Sequence, residues 1–399
     1  MDITLIDRTN HHLFQPLLYQ VATGGLSPAD IAAPVRHILR KQKNVRVIED
    51  TVRAIEADAV TTDTAWIPFD ALIVATGATH HYFGNDGWAK HAPGLKTLPD
   101  AVRLRTDILE AFEEAERSGM GDLAFLVVGA GPTGVEMAGA ISEMARDTLR
   151  QDFRRFDPAL SRVLLVEADD RVLAHYPASL SRRAEEQLVK LGVEVLTGWR
   201  VTHLDGLSAV LQSEDETMDL TPQVIVWAAG VKASPLGGEL AQLGANLDRA
   251  GRVEVEPDLS IPGHPSIYVV GDLAAVRQDD RTVPGVAPAA MQMGEYVADR
   301  ILGRISSPFR YRDKGSLATI GRSAGVADLG RLRFWGFPAW AAWLGIHIFF
   351  LIGFRSRLAV MSQWAWSYFT RGRSARLIVR YHAEGTQPQP PDGESDFAD

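Results

Sequence analysis

An α/β fold built on parallel sheets is what the sequence predicts, and three observations predict it. Short apolar runs at 124–128, 162–166 and 224–227 alternate with stretches of helical period at 99–118 and 179–191. The run at 125–128 leads straight into Gly129-Ala-Gly131-Pro132-Thr133-Gly134 and then into a helical pattern. Strand, glycine turn and helix in that order form the fingerprint of a Rossmann-like dinucleotide-binding unit. The fingerprint lies mid-chain in a sequence of 399 residues, so a second nucleotide-binding unit is expected around it.

Each part of the fingerprint has a physical task. Gly129 makes the tight turn, Gly131 lets the backbone approach a pyrophosphate, and Gly134 lets helix and strand pack closely. Pro132 and Thr133 open the helix, whose free N–H groups hold the phosphates. Glu167 closes the next strand. A carboxylate there accepts from ribose hydroxyls and repels a 2′-phosphate, so NADH is expected rather than NADPH. A further strand at 224–227 ends in Ala228-Ala229-Gly230.

The second unit is read from its strand ends. A strand at 2–7 ends in Asp7-Arg8, with Asp7 placed like a ribose-binding acid. A strand follows at 44–48, then a β-meander at 51–69. A buried strand at 71–74 delivers Ala75-Thr76-Gly77, and one at 266–270 delivers Gly271-Asp272. Small residues at a sheet's carboxyl edge let the backbone close on a ligand, and Asp272 can accept from a hydroxyl. No glycine fingerprint precedes Asp7, so the first strand and phosphate loop of this unit are expected to be missing. A start upstream of Met1 is expected to supply them, with a damaged paralogue as the competing account. The first fingerprint helix is expected to run to about Phe156. Another helix is expected at 286–303.

Composition narrows the chemistry. The chain is 46% apolar, has a net charge of −9 and contains no cysteine. That excludes a disulfide framework, a thiolate metal site and a redox-active cysteine pair. No metal and no nucleic-acid partner are expected. No basic, apolar leader opens the chain, so a cytosolic location is expected. Charge is uneven. Residues 329–383 hold eight arginines, five of the nine tryptophans and no acid. Arginine and tryptophan around apolar helices suit a membrane surface. The stretch 334–354 would measure about 31 Å as one helix, long enough to span. Its glycines and Pro338 argue for lying on an anionic lipid surface instead. A true span and a buried core or dimer helix are the alternatives.

Taken together, Ile6-Asp7-Arg8, His12 to Leu18, Ala75-Thr76-Gly77, Gly129 to Glu136, Gly271-Asp272, Pro284 to Gln292 and Tyr311 to Gly315 resemble the two-dinucleotide-fold flavoproteins. Within that group they resemble the type II (non-proton-pumping) NADH:quinone oxidoreductases. The resemblance implies FAD and NADH as cofactors and a membrane quinone as acceptor. It implies an FAD domain at 1–98 and 243–328, an NADH domain at 99–242, membrane-associating helices at 329–383 and a disordered tail at 384–399. It places Glu136 and Lys314 near the flavin and acceptor as a proton-handling pair. It assigns the quinone to Ala289, Ala290, Met291 and Gln292, where Pro288 replaces the first glutamine of the family's Ala-Gln-x-Ala-x-Gln motif. A peripheral enzyme on the cytoplasmic face of the membrane is expected, without proton pumping. Dimerisation stays open. The competing readings are a soluble reductase of a small redox protein and a non-catalytic NAD-binding relic without FAD.

Overall fold

The structure, a computed structural model, describes residues 1–119 and 121–378. Strand β1 (Ile3–Asp7), with alternating exposed aliphatics, lies parallel to β2 (Val45–Glu49), and Asp7 stands opposite Glu49. The short helix α1 (Leu18–Ala22) lies between them in sequence. The expected meander forms as three antiparallel strands between Val52 and Pro68. Strand β3 (Leu72–Val74) then pairs in parallel with a later strand, His264–Val269. Among the described residues, β1 and β3 are each hydrogen-bonded on one side only, and their two sheets are not joined. Ile3, Leu5 and Ile73 on these strands are exposed. Parallel strands ordinarily bury both faces, so packing here is open.

Helix α2 (Leu98–Ser118) starts at a capping box. The Thr97 hydroxyl accepts from the Asp100 amide, and the Asp100 carboxylate accepts from the Thr97 amide. Thr97→Ala is expected to cost about 1 kcal/mol. Denaturant unfolding checks this, and an unchanged midpoint would contradict it.

The fingerprint unit follows. It runs through β4 (Ala124–Val128), α3 (Pro132–Glu143), β5 (Arg162–Glu167), α4 (Ala178–Leu191), β6 (Val193–Thr197) and β7 (Val224–Trp227). The four strands form one parallel sheet in the order β6-β5-β4-β7. One correction concerns helix length. Helix α3 ends at Glu143, continues as a π-helical turn through Thr148, and does not reach Phe156. Tertiary packing overrides the helical period here. Phe153 and Phe156 turn back to stack on Phe112 of α2, and the Arg154 and Arg155 amides donate to Glu116.

The chain returns to the first unit through β8 (His264–Val269) and α5 (Ala287–Ile301). It then builds an antiparallel sheet of β9 (Ser316–Gly321), β10 (Ala324–Asp328) and β11 (Arg333–Trp335). This sheet packs on α3. A Cβ on Gly139 would stand 2.2 Å from the Ile320 carbonyl oxygen, so glycine is what permits so close a crossing.

The apolar stretch at 334–354 is not one helix. It divides into β11, α6 (Phe337–Phe350) and the start of α7 (Phe354–Thr370). Gly336 and Gly353, both at positive φ, make the breaks. Fourteen residues of α6 reach about 21 Å, short of the roughly 30 Å apolar core of a bilayer. Among the described residues no helix is long and apolar enough to cross a membrane. One face of the pair is core. Trp343 is 2% exposed, and Leu351 and Val360 are buried with it in the cluster that holds Phe112 and Phe125. The other face is free, with Phe354 76% and Phe369 83% exposed. The expected disordered tail at 384–399 lies outside the described residues.

Candidate active site

Backbone contact shapes the glycine turn. Gly129 takes φ +97°, and a Cβ there would lie 2.7 Å from the Ala229 backbone at the end of β7. A Cβ on Gly134 would lie 1.8 Å from the Gly129 carbonyl oxygen, while one on Gly131 would meet nothing within 4 Å. Two glycines are therefore there for packing, and the third faces open space where a phosphate can approach. Gly131 caps α3, with Pro132 and Thr133 in its first turn. Gly230 lies beyond β7 under the Phe83 ring. Glu167 lies at the end of β5, and both of its oxygens have a structural task. Its Oε2 accepts from the Ala130 amide at 2.6 Å, and Oε1 accepts from the Asp169 amide at 3.1 Å. The carboxylate holds the turn to the strand end.

At the second strand edge, Val74 of β3 stands opposite Val269 of β8. Ala75-Thr76-Gly77 and Gly271-Asp272 therefore leave the sheet side by side. Ala75 and Thr76 are exposed, and a Cβ on Gly77 would meet nothing within 4 Å. The Ala290 methyl, from the first turn of α5, approaches Gly271. Pro288 belongs in that turn, where no N–H is needed. Asp272 accepts no hydrogen bond among the described residues. Lys96 faces it, and burial lowers the Lys96 ammonium below its ordinary value against the pull of Asp272. Lys96 was not anticipated from the sequence, because its partner is 176 positions away in the numbering. These small, open strand ends, a free carboxylate and a helix N-terminus fit the ring and ribityl portions of FAD. Asp7, exposed beside Arg8, accepts from the Thr9 amide and hydroxyl through Oδ1, and no hydrogen bond engages Oδ2 among the described residues. The described residues hold no second glycine-rich strand–turn–helix for the pyrophosphate.

The residues expected for proton and quinone chemistry do not come together. Glu136 opens on one cavity, while Gln292 and Lys314 line a separate cleft. Lys314 is exposed and forms no ion pair with Glu136 among the described residues. Ala289 is buried in the core and Met291 is exposed. The Gln292 amide is engaged. Its Nε2 donates to the Pro288 and Arg312 carbonyls at 3.1 and 3.0 Å, and its Oε1 accepts from the Arg312 amide at 2.9 Å. It ties α5 to the loop carrying Lys314 and has no spare donor for a quinone.

Glu136 is a strongly perturbed acid of the site. It lies two residues past Gly134, in the first turns of α3. Burial raises its carboxyl from 4.5 to about 8, against hydrogen bonds from the Thr319 amide and the Trp343 indole N–H. Desolvation wins because both donors are neutral. The Gly139 crossing brings Thr319 within reach. The cavity in front of Glu136 encloses about 110 Å³, with Trp340, Trp343 and Trp364 among its walls. Deeper along α3, Glu143 pairs with Arg373 at 3.4 Å and accepts from the Arg322 amide. Both members of this pair are shielded from solvent. Burial raises the Glu143 carboxyl and lowers the Arg373 guanidinium, so for each the desolvation cost exceeds the mutual attraction.

Comparison with known proteins places this geometry. Residues 1–294 match the pyridine nucleotide-disulphide oxidoreductase family. A Mycobacterium tuberculosis protein described as a type II NADH:quinone oxidoreductase is 46% identical over 403 residues, covering 96% of this chain and 86% of the relative. The chain belongs to the type II NADH:quinone oxidoreductase family. A Staphylococcus aureus member of that family is 31% identical over 336 residues, 82% of each chain. The solved structure of NDH2 from Plasmodium falciparum in complex with NADH shares the fold, with a TM-score of 0.85 at 20% identity over 95% of both chains. The family's broader description mentions a disulphide, yet this sequence has no cysteine, so electrons do not pass through one here. Tyr19, Glu143, Trp343 and Arg373 escaped the sequence reading. They come from four separated segments, and only apolar period or isolated charge marks each of them.

Proposed function

We propose that this protein is an NADH:quinone oxidoreductase. FAD is held between Ala75-Thr76-Gly77 and Gly271-Asp272, and NADH at the Gly129 turn. The observation that carries this is Glu136, an acid kept protonated near neutral pH, placed between the nucleotide turn and an aromatic-walled cavity. FAD, when bound, accepts the hydride and hands on two electrons. The protein's own residues orient and protonate. The α3 N-terminus holds the pyrophosphate of NADH, and Glu167 faces its ribose. The tryptophan walls of the cavity suit a flat quinone ring. Glu136 gives its proton to a quinone oxygen, so the overall balance is NADH, one proton and quinone giving NAD⁺ and quinol. A carboxyl titrating near 8 suits a general acid at neutral pH.

The free aromatic and basic face of α6 and α7 supports reading it as the membrane-facing surface of a peripheral enzyme, with the cytoplasmic side as the proposed location. Phe349, Phe354 and Phe369 are exposed, and so are Arg355 and Arg371. Anionic lipid attracts such arginines by up to about 1 kcal/mol each. Phe354→Ser combined with Phe369→Ser is expected to weaken binding to anionic vesicles by roughly tenfold or more. Co-sedimentation measures this, and undiminished binding would contradict the surface. This aromatic and basic face also disfavours a soluble reductase of a small redox protein.

The test is direct. The FAD-loaded protein should bleach with NADH and recover its colour with a quinone. Protein that binds NADH but neither bleaches nor reduces quinone would support the non-catalytic reading instead.

A further inference from the structure

We propose that Tyr19 and Glu143 form a proton relay that reloads Glu136, with solvent entry at Asp147. The inference rests on the proposed quinone reduction and adds the route by which its proton arrives. Glu136, Glu143 and Asp147 follow at intervals of seven and four residues along α3 and its π turn, so they share one face. All three line the cavity that Tyr19 also lines. Glu136 and Glu143 stand about 10 Å apart along the helix axis at 1.5 Å per residue, too far for a direct proton transfer. Tyr19 lines the same cavity as both carboxyls and is the group through which the proposed relay crosses that interval. Its phenol feels both carboxylates and is raised well above its ordinary value, first by burial and then by Glu136 and Glu143. Its oxygen accepts from Gln20 Nε2 at 2.9 Å, and Trp364 Nε1 fixes that amide at 2.7 Å. The Tyr19 hydroxyl hydrogen is therefore free to donate.

The groups facing the relay set its direction. Arg373 from the C-terminal segment and the Arg322 amide from the end of β9 hold Glu143. The Thr319 amide and the Trp343 indole hold Glu136, and Tyr176 lies in its field. Exposed Asp147 pairs with Arg322 at 3.7 Å and Arg371 at 3.2 Å. Asp147 thus marks the solvent end and Glu136 the dry end. After Glu136 has protonated a quinone oxygen, Tyr19 gives its hydroxyl proton to the Glu136 carboxylate and takes one from the Glu143 carboxyl. Glu143 is reprotonated from water at Asp147. No electrons move in these steps, and one proton enters for each quinone reduced. A π turn at this point fits such a role, because these turns recur at functional sites.

Tyr19→Phe and Glu143→Gln in the FAD-loaded full chain test the relay, with melting temperature as the folding check. Each variant should slow quinone reduction by about tenfold or more, with the pH profile displaced and the solvent deuterium isotope effect enlarged. Ferricyanide, which takes electrons without protons, should be reduced with a much smaller loss. Formate should partly restore quinone reduction to Glu143→Gln. Proton uptake, followed with an indicator dye, should lag behind NADH oxidation. Equal losses with both acceptors, an unmoved pH profile or full quinone activity would overturn the relay while leaving quinone reduction by the wild type intact. A wild type that reduces ferricyanide but no quinone would overturn both.

Discussion

Replacing Gly134 by alanine is expected to abolish tight NADH binding. The added methyl would lie 1.8 Å from the Gly129 carbonyl oxygen, a backbone atom that no side-chain rotation can move. Helix α3 and the glycine turn must separate, at about 3 kcal/mol for an overpacked site. The proposed phosphate site is that same turn and the helix N-terminus, so displacing one from the other removes the binding geometry. An affinity loss of roughly 100-fold or more follows, since about 1.4 kcal/mol is tenfold. Calorimetric titration with NADH measures it, beside a melting curve to show that the fold survives. Affinity within twofold of wild type would show that α3 can move without disturbing the turn.

Glu136→Gln is expected to lower quinone turnover by roughly 100-fold, the usual scale for removing a general acid. Glutamine keeps the acceptor for the Thr319 amide and the Trp343 indole but has no proton to give. Stability supplies an independent readout. The folded carboxyl titrates near 8 and the unfolded one near 4.5, so the folded state holds the extra proton between those values. Unfolding free energy must then fall as pH rises through that window. Below 4.5 both states are protonated, and above 8 both are ionised. The wild type should lose stability from pH 5 to 8 relative to Glu136→Gln, whose profile should be flatter. Parallel denaturation profiles would mean that the carboxyl is already ionised in the folded protein. A carboxylate at position 136 could not then act as the acid.

Much of the nucleotide machinery is local in sequence and therefore legible there. Gly129, Gly131 and Gly134 belong to one strand–turn–helix, and their spacing is set by how a chain turns off a sheet edge. Glu167, Asp7, Ala75-Thr76-Gly77 and Gly271-Asp272 could be read from strand ends. The carboxyl edge of a parallel sheet is the one place where such residues reach a ligand. The absence of cysteine excluded a disulfide relay outright. The proton site could not be read this way. Tyr19, Glu143, Trp343 and Arg373 converge only because β9 crosses α3 at Gly139 and the C-terminal helices fold back onto the same face. Resemblance placed Lys314 with Glu136 near the flavin and acceptor, and it is the fold that has its loop line a second cleft, tied there by Gln292. The 334–354 stretch shows the same limit. Its composition specified an apolar segment at the edge of the protein. Gly336, Gly353 and the burial of Trp343 decided that it is two short elements docked by one face. Short-range geometry fixes turns, strand ends and caps. Which buried charges meet depends on long-range packing, and their protonation follows from the solvent that this packing removes.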